Sequence, residues 1–179
     1  TYTAHANWDA PLVVSPHDPA TLYAGMRLLW KSTDRGQTWT SLGDLTNRVD
    51  RRTLRIMGRL PDERTPSLDD GVPYWPTITA LAESPVRQRS TDGGRTFANV
   101  AGNVPGLPRG AWVAGIEASR HAAERAYLAV DHHRSDDLRN YLWRTDDGGR
   151  TWRAITGDLP PERSIHTVRE DPKNPALLY

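Results

Sequence analysis

The sequence predicts an all-β chain: a β-propeller fragment of about three four-stranded antiparallel blades plus the start of a fourth, with the ring not closed. Three observations carry this. A box of the form Ser/Thr-x-Asp-x-Gly-x-Thr-Trp/Phe occurs at Ser32 to Trp39, Ser90 to Phe97 and Thr145 to Trp152. Short apolar runs separated by Gly, Pro and Asp turn signals surround each box. Helical periodicity is weak throughout, and only His121 to Arg125 suggests as much as one helical turn.

The first repeat, 8–42, sets the pattern. Pro11 to Ser15 reads as a short buried strand, followed by a turn at His17-Asp18-Pro19-Ala20. Leu22 to Ala24 forms a second strand, Leu28 to Ser32 a third, and the box turns the chain into a fourth at Thr38 to Leu42. A long Asp/Arg/Pro-rich loop spans 43–76. A shortened blade follows at 77–101, in which Pro85 stands 5 residues before Ser90 where Pro16 stands 16 before Ser32. The next blade covers 110–156, and 163–179 begins another. Inner strands are expected at Ile78 to Ala82, Val113 to Glu117 and Thr167 to Glu170. The phrase "SPHDPATLYAG" returns as "DPKNPALLY", which stops where Ala-Gly is due, so the chain reads as a fragment. An isolated fragment of this kind is expected to be an open arc with apolar flanks that associate.

Each box residue has a structural use. A tight reversal needs a positive φ, which Gly36, Gly94 and Gly149 supply at low cost. Asp34, Asp92 and Asp147 can accept backbone N–H bonds and close the turn. Trp39, Phe97 and Trp152 cover the hairpin with an apolar ring. In a four-stranded antiparallel blade the 3–4 turns lie with the 1–2 turns at one end. The 2–3 turns and the crossovers between blades lie at the other. The boxes therefore belong to the scaffold end, and any ligand is expected at the crossover end.

That end gathers His5, Asn7 and Trp8; Tyr74 and Trp75; Arg109 and Trp112; and Arg163 and His166. Of these, Trp8, Tyr74, Trp75, Trp112, Arg109 and His166 are the candidate ligand-binding residues, since aromatic rings on a polar rim suit stacking on sugars or peptide side chains. Packing between neighbouring blades is the competing use for each Trp. The expanded 2–3 turn Asp131-His132-His133-Arg134-Ser135-Asp136-Asp137 has no diagnostic metal spacing, because adjacent His residues on a strand point to opposite faces. No metal and no cofactor are expected.

Composition narrows the function classes. The 179 residues carry 23 basic and 22 acidic side chains, a net charge of +1 that gives no electrostatic case for nucleic acid. Mean hydropathy is −0.67, and no apolar run approaches the roughly 18 residues of a membrane span. There are no cysteines, so disulfide and thiol chemistry are excluded.

The boxes resemble the Asp-box, or bacterial neuraminidase repeat, of sialidases, xyloglucanase-type glycosidases and sortilin-type propellers. "SPHDPATLYAG" and "DPKNPALLY" are more similar to the latter two, and "NWDAPLVVSP", "STDRGQTWT" and "TITALAESP" resemble bacterial extracellular propellers named glycosyl hydrolases by similarity. The resemblance implies an extracellular or periplasmic protein whose partners are carbohydrate, extracellular protein or peptide, and the remaining blades of a parent chain. Xyloglucanase-type enzymes carry an Asp four residues after the Tyr of the second strand. That position is Arg27 in the first repeat and Asp131 in the third, so Asp131 is the one catalytic candidate. Glu83 and Glu117 are weak partners for it. Sialidase chemistry expects an Arg-Ile/Val-Pro segment, and Arg55-Ile56-Met57 does not supply one. Two readings stand: a secreted binding module without a complete catalytic site, or part of a glycosidase whose second carboxylate lies outside this chain.

Overall fold

The computed structural model describes residues 5–46, 49–66, 68, 75–86 and 97–179. It forms two compact units, Thr1–Leu81 with His133–Asp137, and Ala82–His132 with Leu138–Tyr179. Each unit holds one four-stranded antiparallel sheet in simple up-and-down order. The first contains β1 (Leu12–Val14), β2 (Leu22–Gly25), β3 (Leu29–Ser32) and β4 (Thr40–Gly43). The second contains β5 (Trp112–Ala118), β6 (Ala126–Asp131), β7 (Tyr141–Thr145) and β8 (Arg153–Ala154). Among the described residues there is no α-helix, only three short 3-10 turns, and no helix is long and apolar enough to cross a membrane.

The second sheet is buried on both faces, which explains its near-continuous apolar strands. Leu128, Val130, Tyr141 and Trp143 pack on one face against Val104 and Leu107. Tyr127, Ala129 and Leu142 pack on the other against Val168, Ile155 and Ile165. Tyr141 and Trp143 are next-but-one neighbours on β7 and stack with ring centroids 5.6 Å apart. In the first sheet Gly25 answers to close approach: a Cβ there would meet Ile78 Cγ2 and Pro11 Cγ at 2.7 Å.

The box turns are built alike. Asp34 accepts from the Ser32 hydroxyl at 2.7 Å, the Thr38 N–H at 2.9 Å and the Thr38 hydroxyl at 2.6 Å. Asp147 accepts the matching set from Thr145 and Thr151 at 2.8, 2.9 and 2.6 Å. The Ser32 and Thr145 hydroxyls in turn accept the N–H groups of Gly36 and Gly149 at 2.8 and 2.9 Å. Both glycines have φ of 88°. Each 3–4 turn is tied to the 1–2 turn beside it, Arg35 N–H to the Ala20 carbonyl and Gly148 N–H to that of Glu124. Asp92 and Gly94 lie outside the described residues, and Phe97 is exposed.

Several expectations need correction. The first strand is not buried: Leu12 and Val14 are 65% and 56% exposed, with none of the described residues closing over the face they share. The fourth strand starts at Thr40 rather than Thr38, since the Thr38 N–H and hydroxyl both serve Asp34 and hold the chain in the turn. Ile78 to Ala82 form no strand; among the described residues one backbone bond ties them down, from Ile78 N–H to the Met26 carbonyl. A strand needs a ladder, and the shortened repeat lacks the second-strand sequence that would supply one. Thr167 to Glu170 shows one isolated bridge, Glu170 to Leu178, flanked by paired bonds between Arg169 and Tyr179. His121 to Arg125 makes a hydrogen-bonded turn, not a helical one. The long loop is locally ordered where described, with Asp50 capping a 3-10 turn at Arg51–Thr53.

The hydrogen bonds from Thr38 and from Thr151, each from a side chain and a backbone N–H, hold the Asp34 and Asp147 carboxyls at about 2, against the ordinary 3.8. A depressed carboxylate pKa contributes stability that is full above the unfolded value and lost as pH falls through the folded one. Thermal melts should therefore lose stability between about pH 4 and pH 2, and Asp147→Asn should flatten that part of the profile while lowering the melting temperature at neutral pH.

Candidate functional site

The two ends of the second sheet differ in how their polar groups are engaged. At the box end, Asp147 is held by the turn. Asp146 beside it accepts from Arg125 Nε at 2.8 Å and from Arg144 Nη2 at 2.6 Å. The Arg144 bonds, ahead of those from Arg125, overcome partial burial and lower the Asp146 pKa. Depressed carboxyls cannot serve as general acids near neutral pH. The Trp152 indole N–H has no acceptor, whereas Trp39 donates to the Gly36 carbonyl at 3.0 Å; the Gly149 carbonyl accepts from the Asn103 amide at 3.0 Å.

The same end contains a buried cluster that the sequence reading missed. The Glu170 side chain has no exposed surface, yet its carboxylate accepts from the Ser119 hydroxyl at 2.8 Å, the Arg120 N–H at 2.8 Å and the Tyr127 hydroxyl at 3.0 Å. Arg125 Nη1 lies 3.7 Å away. Burial opposes the Glu170 charge, but the Ser119, Arg120 and Tyr127 bonds outweigh it and the carboxyl sits below its ordinary range. Burial, and then the bond to Glu170, raise the Tyr127 phenol. Both residues are closed to substrate, so the cluster is a brace between the β5–β6 turn and the Glu170 segment. The available signal was spacing: Ser119 precedes Tyr127 by the interval that separates Ser15 from Tyr23.

At the crossover end, β5 and β6 place Trp112 opposite Asp131. Asp131 is only 6% exposed, while the His166 side chain, 3.5 Å from it through Nδ1, is 68% exposed. The 166–167 backbone runs against β5, where a Cβ on Gly115 would lie 3.9 Å from the His166 carbonyl oxygen. Arg109 is exposed on the turn before β5. The structure thus joins Asp131 to His166 directly and sets Trp112 at the same strand end. Glu117 is opposite Tyr127, four residues along β6 from Asp131, a separation of about 13 Å. This is an offset between backbone positions along the strand. Glu117 is also 3.4 Å from Arg169.

In the first unit, Trp8 is 78% exposed and follows Asn7, whose side-chain oxygen accepts the Trp8 N–H at 2.7 Å. The face of Trp75 is already occupied, with the Arg51 guanidinium 4.2 Å from its ring centroid and that of Arg134 at 5.9 Å. Tyr74 lies outside the described residues. Among the described residues no group of three or more His, Asp or Glu is set to hold a metal ion.

No protein-family model matches the chain, and no curated protein does. Among solved structures it is similar to the crystal structure of a GH74 enzyme from Niastella koreensis, at 20% identity and a TM-score of 0.50. The similarity covers 88% of this chain and 24% of that one, so the chain spans about a quarter of its length. The fold is accordingly that of a β-propeller fragment, with two blades described in full.

Removing Glu170 strands the Ser119 hydroxyl, the Tyr127 phenol and the Arg120 N–H without their buried acceptor, while Arg125 keeps Asp146. Glu170→Ala is expected to cost about 3–5 kcal/mol, and Ser119→Ala about 1–3 kcal/mol. Urea unfolding followed by tryptophan fluorescence measures both.

Proposed function

We propose that this chain is part of an extracellular or periplasmic Asp-box β-propeller that binds carbohydrate at the crossover end of its second sheet, without hydrolysing it. The observation that carries the reading is the pairing of a shielded carboxylate, Asp131, with an exposed imidazole, His166, at the strand end that also holds Trp112. A carboxylate held in place is a directional acceptor for sugar hydroxyls, an exposed imidazole adds a donor or acceptor, and an aromatic ring offers a stacking face. Arg109 on the neighbouring turn extends the polar rim. The likeness to a propeller glycoside hydrolase supports carbohydrate over protein as the ligand class.

Binding is favoured over hydrolysis by distance. Hydrolysis needs a second carboxyl close to Asp131, and Glu117 lies four register positions along the strand, where it pairs with Arg169 at 3.4 Å. The alternative is that Asp131 belongs to a xyloglucanase-like hydrolase whose other carboxylate comes from blades outside this chain.

Glycan-array and calorimetric titrations with β-glucan oligosaccharides test the proposal. Trp112→Ala and Asp131→Asn should each weaken binding at least about tenfold, the loss of one stacked ring or one charged hydrogen bond. Reducing-sugar release should be absent. Glucan cleavage by the parent protein that Asp131→Asn abolishes would instead establish the hydrolase reading.

A further inference from the structure

Basic and acidic side chains nearly balance over the whole chain, 23 against 22, yet the stretch 51–61 holds four arginines and no acidic residue. Arg52, Arg55 and Arg59 are exposed, while Arg51 is buried with its guanidinium stacked on Trp75. Arg51 and the buried Leu54 anchor the base of a small hairpin. Its tip is Met57, 69% exposed, and Leu60 beside it is 59% exposed.

Ile56 and Arg59 form the hairpin bridge through bonds of 2.7 and 3.0 Å. The two residues between them, Met57 and Gly58, have φ of 48° and 76°. A two-residue turn of this kind favours Asn or Gly at its first position, and a methionine there is strained. Further bonds hold the strained form. Met57 N–H donates to the Arg134 carbonyl at 2.9 Å, Arg55 Nη1 to the Gly58 carbonyl at 2.7 Å, and the Ser135 hydroxyl to the Arg55 carbonyl at 3.3 Å. Arg134 and Ser135 belong to the segment His133–Asp137, which packs in the same unit. A backbone that is both strained and braced, with an exposed apolar tip as the result, points to a contact made by that tip.

The geometry limits the kind of partner. Residues opposite each other in a hairpin share a face and neighbours alternate, so Arg59 lies on the face of Ile56 and Arg55 on the other. Cations on both faces do not converge on one carboxylate. They suit a plane of anionic groups into which the tip dips between them. A thioether also gives a sugar ring no stacking plane, whereas it enters an acyl layer readily. We infer that the 55–60 hairpin is a contact with an anionic lipid surface. Met57 and Leu60 enter the boundary between headgroups and acyl chains, and Arg52, Arg55 and Arg59 meet lipid phosphates. The contact is independent of the carbohydrate site, which belongs to the other unit.

Flotation of the whole chain with vesicles of phosphatidylglycerol and phosphatidylcholine tests this. Binding should weaken with added salt and on vesicles of phosphatidylcholine alone. Met57→Asn removes the apolar tip while placing a favoured residue in the turn, so its melting temperature should hold or rise. Its vesicle affinity should drop at least about tenfold, the share of one buried side chain. Arg52→Gln combined with Arg59→Gln should weaken binding at least about tenfold as well; Arg55 is left in place because it braces the turn. The chain has no cysteine, so a polarity-sensitive dye on Met57→Cys reports the tip alone, and its emission should shift to the blue on vesicles. A wild-type chain that does not float with anionic vesicles, binding that a folded Met57→Asn variant keeps in full, or a dye that stays in water would each overturn the inference. Binding to polyglutamate or polygalacturonate without binding to vesicles would overturn it in favour of an acidic macromolecule.

Discussion

A four-stranded sheet with apolar side chains on both faces is stable only when both are covered, and that requirement governs this protein. In β6 the run Tyr127-Leu128-Ala129-Val130 sends alternate residues to opposite faces, and all four are buried. One face is closed by the segment before the sheet and the other by the segment after it. Coverage is therefore sequential: each sheet depends on chain that precedes and follows it, the dependence of repeat architectures. At roughly 25 cal/mol for each Å² of apolar surface removed from water, the two faces of such a sheet supply most of its stability.

Polar groups follow from the same constraint. The covered faces of a sheet leave little room for water, so a polar atom there needs a protein partner. Glu170 meets this by accepting bonds from a hydroxyl, a phenol and a backbone N–H across about 50 residues of sequence. The box aspartates meet a related demand at the surface, where a tight reversal leaves backbone N–H groups facing outward. Threonine suits the position four residues after each aspartate because it presents both a backbone N–H and a hydroxyl to the two carboxylate oxygens. These carboxylates are engaged by their own turns before any ligand could reach them.

What could be read from the sequence divides along the same line. Box geometry depends on bonds within eight residues, so spacing alone placed Asp34 and Asp147 in turns between third and fourth strands. The first strand of the second sheet, expected at Val113 to Glu117, was legible to within one residue at each end, because turn formers bracket it. Glu170 was not legible, since its partners Ser119 and Tyr127 lie far away in sequence and nothing local marks a glutamate as buried. The exposure of Leu12 and Val14 was also invisible, because an apolar run reports what a strand needs, not whether its cover is present. At the candidate site, a shared crossover end was foreseen for Trp112 and His166. The contact of His166 with Asp131 needed the backbone of 166–167 against β5. For Trp75, where ligand contact and packing were both open, the stacked Arg51 guanidinium could not be foreseen, because it comes from a segment 24 residues earlier.

The two ends of the second sheet differ in how far their charged groups are enclosed. At the box end Asp146, Asp147 and Glu170 are each engaged by several donors, and their depressed pKa values record it. A group in that state gains little from a ligand, because any new bond must displace an existing one. At the crossover end the contrast within one pair matters most. Asp131 is shielded enough to stay in position, and His166 is open enough to meet a solute. One fixed group beside one accessible group is the arrangement binding needs, since the first limits the entropy lost on association and the second makes the contact. The second sheet is braced at its box end, and at the other end the shielded Asp131 carboxylate and the exposed His166 imidazole stand side by side at the strand end that carries Trp112.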